Sequence, residues 1–284
     1  MMGSHRIFRT VWWSANLLLM ASFLSLVYAC GWEYSLRRYL DGFSDAIVPN
    51  SLPPERKVEA ILNWMRLEPS RAIAANPDAL ARRDPEMTLN YLQLLNVCGT
   101  ATNAFLNLAR TSDLQVRRLL LLGPDHRAKH VVAEVLIDER WVIVDPTYRR
   151  VLRDDQGRLL TRKDLQDPAI LQQATKNIPE YRPEYDYSTF AHVRLARLPL
   201  DGFGLRKILD RVYPGWDEVF DWSLILERES FAMLFFTTVL TGLFLFLREI
   251  LAWFADHRLR IPRFRLREHF LRAGAAFFTS PEIK

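Results

Sequence analysis

Three residues in chain order have the types that nucleophilic chemistry needs. Cys98 stands where Asn96-Val97-Cys98-Gly99 gives way to the helix-like run Thr100 to Leu106. His130 opens the apolar stretch His130-Val131-Val132-Ala133-Glu134-Val135, and Asp145 closes Trp141-Val142-Ile143-Val144 just before Pro146. A thiol near neutral pH is only a few per cent thiolate, so a nucleophilic cysteine needs a base, and the base needs an orienting group. A helix start adds a positive dipole end and free N–H groups, which favour both a thiolate and an oxyanion. A buried structural cysteine, a structural histidine and an aspartate in a turn remain the bland alternative for each residue taken alone.

The elements around them must bring the three together. Ser51-Leu52-Pro53-Pro54-Glu55 reads as a helix start, with Val58, Ile61, Leu62 and Met65 on one face. Asp84-Pro85-Glu86 reads as another start. After a break at 96–99, the Cys98 helix should run to about Arg110 with Ala101, Ala104, Phe105 and Leu108 buried. The period then changes. Leu114 to Leu122, His130 to Ile137 and Trp141 to Val144 read as strands, with Asp138-Glu139-Arg140 as a hairpin turn. A second hairpin is expected around Asp154-Asp155-Gln156-Gly157. Beyond it the sequence predicts a helix from Arg162 to Ala174, a tyrosine-rich loop from Tyr181 to Tyr187 and a helix near Leu205 to Tyr213. Helices followed by an antiparallel sheet make an α+β domain, with the Cys helix packed on the sheet. His130 and Asp145 would then meet across adjacent strands.

With these stretches in view, the region from Leu89 to Tyr148 resembles the transglutaminase-like superfamily, relatives of the papain-like cysteine proteases. The stretches that carry the resemblance are Cys98 to Arg110, Asp113-Leu114-Gln115-Val116-Arg117, His130 to Glu134 and Trp141 to Pro146. Asp113 and Gln115 stand where relatives usually have Gly and Pro, and Val132 where they have Trp; none of these changes touches the three chemical residues. The resemblance implies Cys98 as nucleophile, His130 as general base and then acid, and Asp145 as the group orienting the imidazole. It also implies two oxyanion donors. The Cys98 backbone N–H is the first; Trp64, Gln93 and Asn96 are candidates for the second. No cofactor and no metal is implied. His126 and His130 have a ligand-like spacing, but Pro124 and the strand that follows disfavour a helix there, and no further ligand completes a zinc site. Glu134 shares a sheet face with His130 and is expected to pair with an arginine or to tune the site.

Two apolar spans frame the domain. No residue from Thr10 to Trp32 is charged, and none from Ser230 to Leu247. Each is long enough to cross a bilayer. The first has a signal-peptide reading, with Val27-Tyr28-Ala29 as a cleavage site and Cys30 as a poor lipidation position, but it is read as a retained anchor with Trp12, Trp13 and Trp32 at interfaces. In the second, apolar side chains surround the whole helix, which favours lipid over a soluble core. Arg6 and Arg9 precede the first span; Arg248, Arg258, Arg260, Arg263, Arg265, Arg267 and Arg272 follow the second. The positive-inside rule puts both termini in the cytoplasm. The expected order is a cytoplasmic N-terminus (1–9), a span (10–32), an extracytoplasmic domain with a C-terminal extension (33–229), a span (230–254) and a basic cytoplasmic tail (255–284). In a bacterial inner membrane the domain is periplasmic.

The chain carries 38 Lys and Arg against 33 Asp and Glu, for a net charge of +5. Much of the excess lies in the tail, so it signals contact with anionic membrane lipid, or a merely solvated tail, and not nucleic acid. The chain has two cysteines, Cys30 and Cys98. A lone thiol in an oxidising compartment is a liability unless it is buried or used.

Three functions are open to such a chain. The first is a cysteine enzyme that attacks an amide, forms a thioester and passes the acyl group to water or an amine. The three residues do not choose between the two acceptors; resemblance to bacterial members of the superfamily implies hydrolysis, as a protease or amidase, over crosslinking, and the periplasmic address implies a peptide, protein or cell-envelope polymer as substrate. The second is an idle transglutaminase-like domain serving as a membrane-tethered assembly factor in an envelope complex. The third is an envelope-polymer binder that uses rings such as Tyr181, Tyr185, Tyr187, Trp216 and Trp222.

Overall fold

A computed structural model describes residues 2–67, 98–125, 127–193, 205–219 and 222–259. The chain divides into two units, residues 30–233 and the paired segments 1–29 and 234–284.

Helix α1 (Met2–Ile47) enters the larger unit at Cys30. The charge at Glu33 ends the uncharged span but not the helix. Helix α2 (Pro54–Leu67) starts with Pro54 and Glu55, as the sequence predicts, and buries Val58, Ile61, Leu62 and Met65. The predicted helix start at Asp84 falls in 68–97, outside the described residues. Helix α3 (Cys98–Thr111) begins on the candidate nucleophile and buries Ala101, Ala104, Phe105 and Leu108.

Among the described residues five strands follow, β1 (Val116–Leu122), β2 (Ala128–Ile137), β3 (Arg140–Asp145), β4 (Arg150–Val151) and β5 (Phe190–Ala191). They form one antiparallel sheet in the order β4-β3-β2-β1-β5. Asp138 and Glu139 both take positive φ, 47° and 59°, so the β2–β3 turn matches the twist of its strands. Gly157, with φ 82°, closes the second hairpin, where Arg153 bridges Leu159.

Alternation along the strands divides the sheet into two faces. Ala133, Val135, Val142 and Val144 face the core that also holds α2 and α3. Val132, Ile143, Leu119 and Leu121 face a second core, covered by Leu165, Ile170, Leu171, Ile178 and the tyrosine loop. By the same alternation His130, Glu134 and Asp145 stand on this second face.

The helix expected over Arg162 to Ala174 is instead a 3-10 turn (Asp164–Gln166) followed by helix α4 (Pro168–Thr175). The break lies at Asp167. Preceding a proline, it is held extended (φ −78°, ψ 117°), and its side chain caps the new helix by accepting from the Ala169 N–H. Helix α5 (Leu205–Val212) forms where it was expected.

Among the described residues, two helices are long and apolar enough to cross a membrane, Arg6–Ile47 and Glu229–Leu259. The second comprises α6 (Glu229–Phe254) and a final π-type turn. Within the smaller unit, Trp13, Leu17 and Phe246 are among many exposed apolar side chains, and the Arg248 guanidinium lies 5.9 Å from the Trp12 ring centroid.

Candidate functional site

His130 and Asp145 are both buried, and His130 Nε2 lies 2.7 Å from Asp145 Oδ2. The antiparallel register of β2 and β3 brings them together, with Ala133 opposite Val144 and the later pairs in step. Asp145 is itself held. Its Oδ1 accepts the backbone N–H groups of Thr147 (3.1 Å) and Tyr148 (3.3 Å), a turn in which Pro146 contributes a fixed φ. An ionised Asp145 makes Nε2 a proton donor, which leaves Nδ1 for exchange with a nucleophile.

Cys98 reaches this pair from the far side of the sheet. Its helix lies on the other core, but its first turn packs at the edge with Leu120, Val131 and Ala191. Two contacts fix that turn. The Thr102 hydroxyl donates to the Val131 carbonyl at 2.9 Å, and Arg118 Nη2 donates to the Gly99 carbonyl at 2.9 Å. His130 Nδ1 makes no hydrogen bond of regular geometry among the described residues. Hydrogen bonding to His130 is nonetheless the leading cause that lowers the Cys98 thiol below its ordinary pKa, ahead of burial, which opposes it. The backbone groups of Gly99 and Val131 add to the lowering.

His130 responds in the opposite sense. Burial disfavours its charge and is the largest single influence, but the hydrogen bonds and charges of Asp145 and Cys98 together outweigh it. The imidazole is raised to about 9. A lowered thiol beside a raised imidazole is the pattern of a thiolate–imidazolium pair at neutral pH.

Tyrosines enclose the imidazole. Tyr185 stacks on it with ring centroids 4.2 Å apart and planes 5° from parallel. Tyr148 and Tyr181 stand at 5.9 and 6.4 Å. Tyr181 and the fully buried Tyr187 are joined through their hydroxyls at 3.0 Å, and the Tyr148 hydroxyl donates to the Glu180 carbonyl at 3.0 Å. The loop was legible as tyrosine-rich, but its placement against His130 was not. Thr102 was also missed, although it lies one turn beyond Cys98 on the same helix face.

Among the other sequence candidates, Trp64 packs edge-on against Phe43 at 5.1 Å and against the α2–α3 core. Gln93, Asn96 and His126 lie outside the described residues. Glu134 is paired. Its Oε2 accepts from Arg117 Nε at 2.6 Å and lies 2.9 Å from His192 Nε2.

Residues 41–146 match the family model of the transglutaminase-like superfamily. The match opens in the last turns of α1 and ends just after Asp145, so it takes in all three chemical residues and both hairpin strands. With its helix on an antiparallel sheet, this part of the chain is a transglutaminase-like superfamily domain. No curated protein and no solved structure matched the chain.

Proposed function

We propose that this chain is a membrane-anchored cysteine enzyme that cleaves amide bonds through a thioester, with water favoured over an amine as acyl acceptor. The observation that carries the reading is the buried His130–Asp145 contact at 2.7 Å beside a thiol whose pKa His130 lowers.

The chemistry follows from the positions. The Cys98 thiolate adds to a substrate carbonyl carbon, and the carbonyl π electrons move to oxygen. The Cys98 backbone N–H, at the first described residue of α3, is the first oxyanion donor. As the C–N bond breaks, His130 gives its Nδ1 proton to the leaving amine nitrogen, and a thioester remains. Water attacks the thioester, His130 takes its proton, and the C–S bond breaks to release the acid and restore the thiolate. An amine entering in place of water would make the same site an acyltransferase. Asp145 keeps the ring oriented and its Nε2 protonated throughout.

The two apolar helices and the arginine distribution support a two-span protein of a bacterial inner membrane, with both termini cytoplasmic and the domain periplasmic. That address favours a peptide, protein or envelope-polymer substrate. The test is a thiol-directed activity probe applied to membranes holding the native protein or Cys98→Ala, followed by amide cleavage with and without an added amine. Labelling and turnover that depend on Cys98 support the enzyme. Labelling of native Cys98 no faster than an ordinary thiol would replace it with the idle, tethered domain.

A further inference from the structure

We infer that Tyr185 is a positioning residue for His130, holding the imidazolium by the face of its ring; the inference rests on the Cys98–His130–Asp145 reading above.

The geometry is specific. Rings 4.2 Å apart and 5° from parallel place the π cloud of Tyr185 against the full face of the imidazole. A charged ring in that position is attracted to the quadrupole of the phenol, and the attraction grows when water is excluded. The stacked faces are buried, for Tyr185 is 7 % exposed and His130 1 %. His130 therefore sits in a setting that should strip its charge, yet the pair with Cys98 requires the charge. Asp145 supplies one compensation at the ring edge. Tyr185 supplies a second at the ring face, which no in-plane hydrogen bond can reach.

The loop is built to hold that ring. The Tyr185 N–H donates to the Arg182 carbonyl at 3.2 Å, closing a turn. Tyr181 packs edge-on to Tyr185 at 5.3 Å and is itself anchored on buried Tyr187. Tyr148 joins the group from the turn that also donates to Asp145. The orienting carboxylate and the stacking loop thus share one set of side chains.

A filler residue and a positioning residue predict different outcomes. Tyr185→Leu keeps the site apolar and removes the π face, whereas alanine would admit water and hydrate the imidazolium. In the full chain in lipid nanodiscs, Cys98 alkylation by iodoacetamide is followed against pH by site-resolved mass spectrometry, with added glutathione as the reference thiol. Tyr185→Phe should keep the native profile. Tyr185→Leu should move the thiolate inflection to higher pH and slow alkylation at pH 6 by roughly three- to tenfold. Tyr185→Met fills the space flexibly and replaces the Leu variant if that variant does not fold. In the native protein alone, the His130 ring protons should carry an upfield ring-current shift; its absence overturns the stack. An unchanged profile in a folded Leu or Met variant overturns the positioning role. If His130→Ala also leaves the inflection unmoved, the catalytic reading falls first; if His130→Ala moves it and Tyr185→Leu does not, only Tyr185 is reassigned.

Discussion

The Thr102 hydroxyl donates to the Val131 carbonyl at 2.9 Å, and this bond joins the helix that bears Cys98 to the strand that bears His130. Thr102 is one helical turn beyond the cysteine, and Val131 is the neighbour of the histidine. Both ends are buried. Thr102→Val keeps the shape and leaves the carbonyl short of a partner, which costs about 1–3 kcal/mol. The expected result is a thermal midpoint lower by several degrees and slower Cys98 alkylation, both restored by Thr102→Ser. A Val variant that melts lower but alkylates at the native rate would assign Thr102 to stability alone.

The opposed shifts at Cys98 and His130 give a reactivity window with a definite sign. Cys98 is lowered, so alkylation should rise with pH through an inflection below that of an ordinary thiol, about 8.5. His130 is raised to about 9, so the imidazolium persists across neutral pH. Turnover needs that proton for the leaving amine and should fall as pH climbs through about 9, while alkylation, which needs no acid, continues. A single inflection shared by both rates would contradict the paired assignment.

Glu134 stands on the same face as His130 but belongs to another set of contacts. Burial raises its carboxyl most strongly, yet the hydrogen bond from His192 and the charge of Arg117 overcome this and leave it below the ordinary range. A depressed carboxylate stabilises the fold above its unfolded pKa, and that contribution is lost as pH falls through the folded value. Glu134→Ala removes the nearest counter-charge of buried Arg117, which keeps Glu218 at 3.7 Å, and should cost less than the about 3–5 kcal/mol of a fully unpaired buried charge. The acid side of the stability curve should flatten, and the alkylation inflection of Cys98 in the remaining folded protein should not move. A shifted inflection would tie Glu134 to the site.

The legible part of this molecule is what local pattern encodes. Period-two alternation in β2 and β3 put His130 and Asp145 on one face, and Asp138-Glu139 marked the turn that brings them level. The apolar spacing from Arg162 to Ala174 was legible as a helix, but the Asp167-Pro168 step overrides spacing because the residue before a proline avoids helical angles. Tyr185 carried no local signal. Its partner is distant in the chain, and a tyrosine in a loop has the same appearance whether it covers an active site or a patch of core. Glu134 could be assigned to an arginine from charge alone, but not to His192, which arrives only when β5 joins the sheet edge.

The two apolar helices predict a topology. Exposed Leu17, Leu24, Val239, Leu243 and Phe246 would be poorly placed in water but are at home in lipid. Reporter fusions at residues 5, 150 and 284 should read cytoplasm, periplasm and cytoplasm. A cytoplasmic signal at residue 150 would move Cys98 into a reducing compartment and remove the envelope substrates from consideration.

Asp145→Asn separates orientation from folding. Oδ1 of Asp145 accepts two backbone N–H groups, and an asparagine oxygen can keep both, so the turn at Pro146 should persist. The other position changes sign. Asp145 Oδ2 accepts from Nε2, whereas an amide NH₂ in its place donates and requires Nε2 to be the acceptor. The proton is then forced onto Nδ1 of the neutral ring, the nitrogen that must receive the thiol proton. The thiol loses its base and the imidazolium loses its counter-charge, so the Cys98 inflection should climb towards that of a free thiol. Turnover should fall by as much as about 10⁴-fold, the loss seen for the same exchange in serine proteases. A thermal midpoint close to native beside that loss would show that Asp145 acts through the tautomer of His130. A variant with native turnover would remove Asp145 from the mechanism and leave its carboxylate a structural cap on the turn.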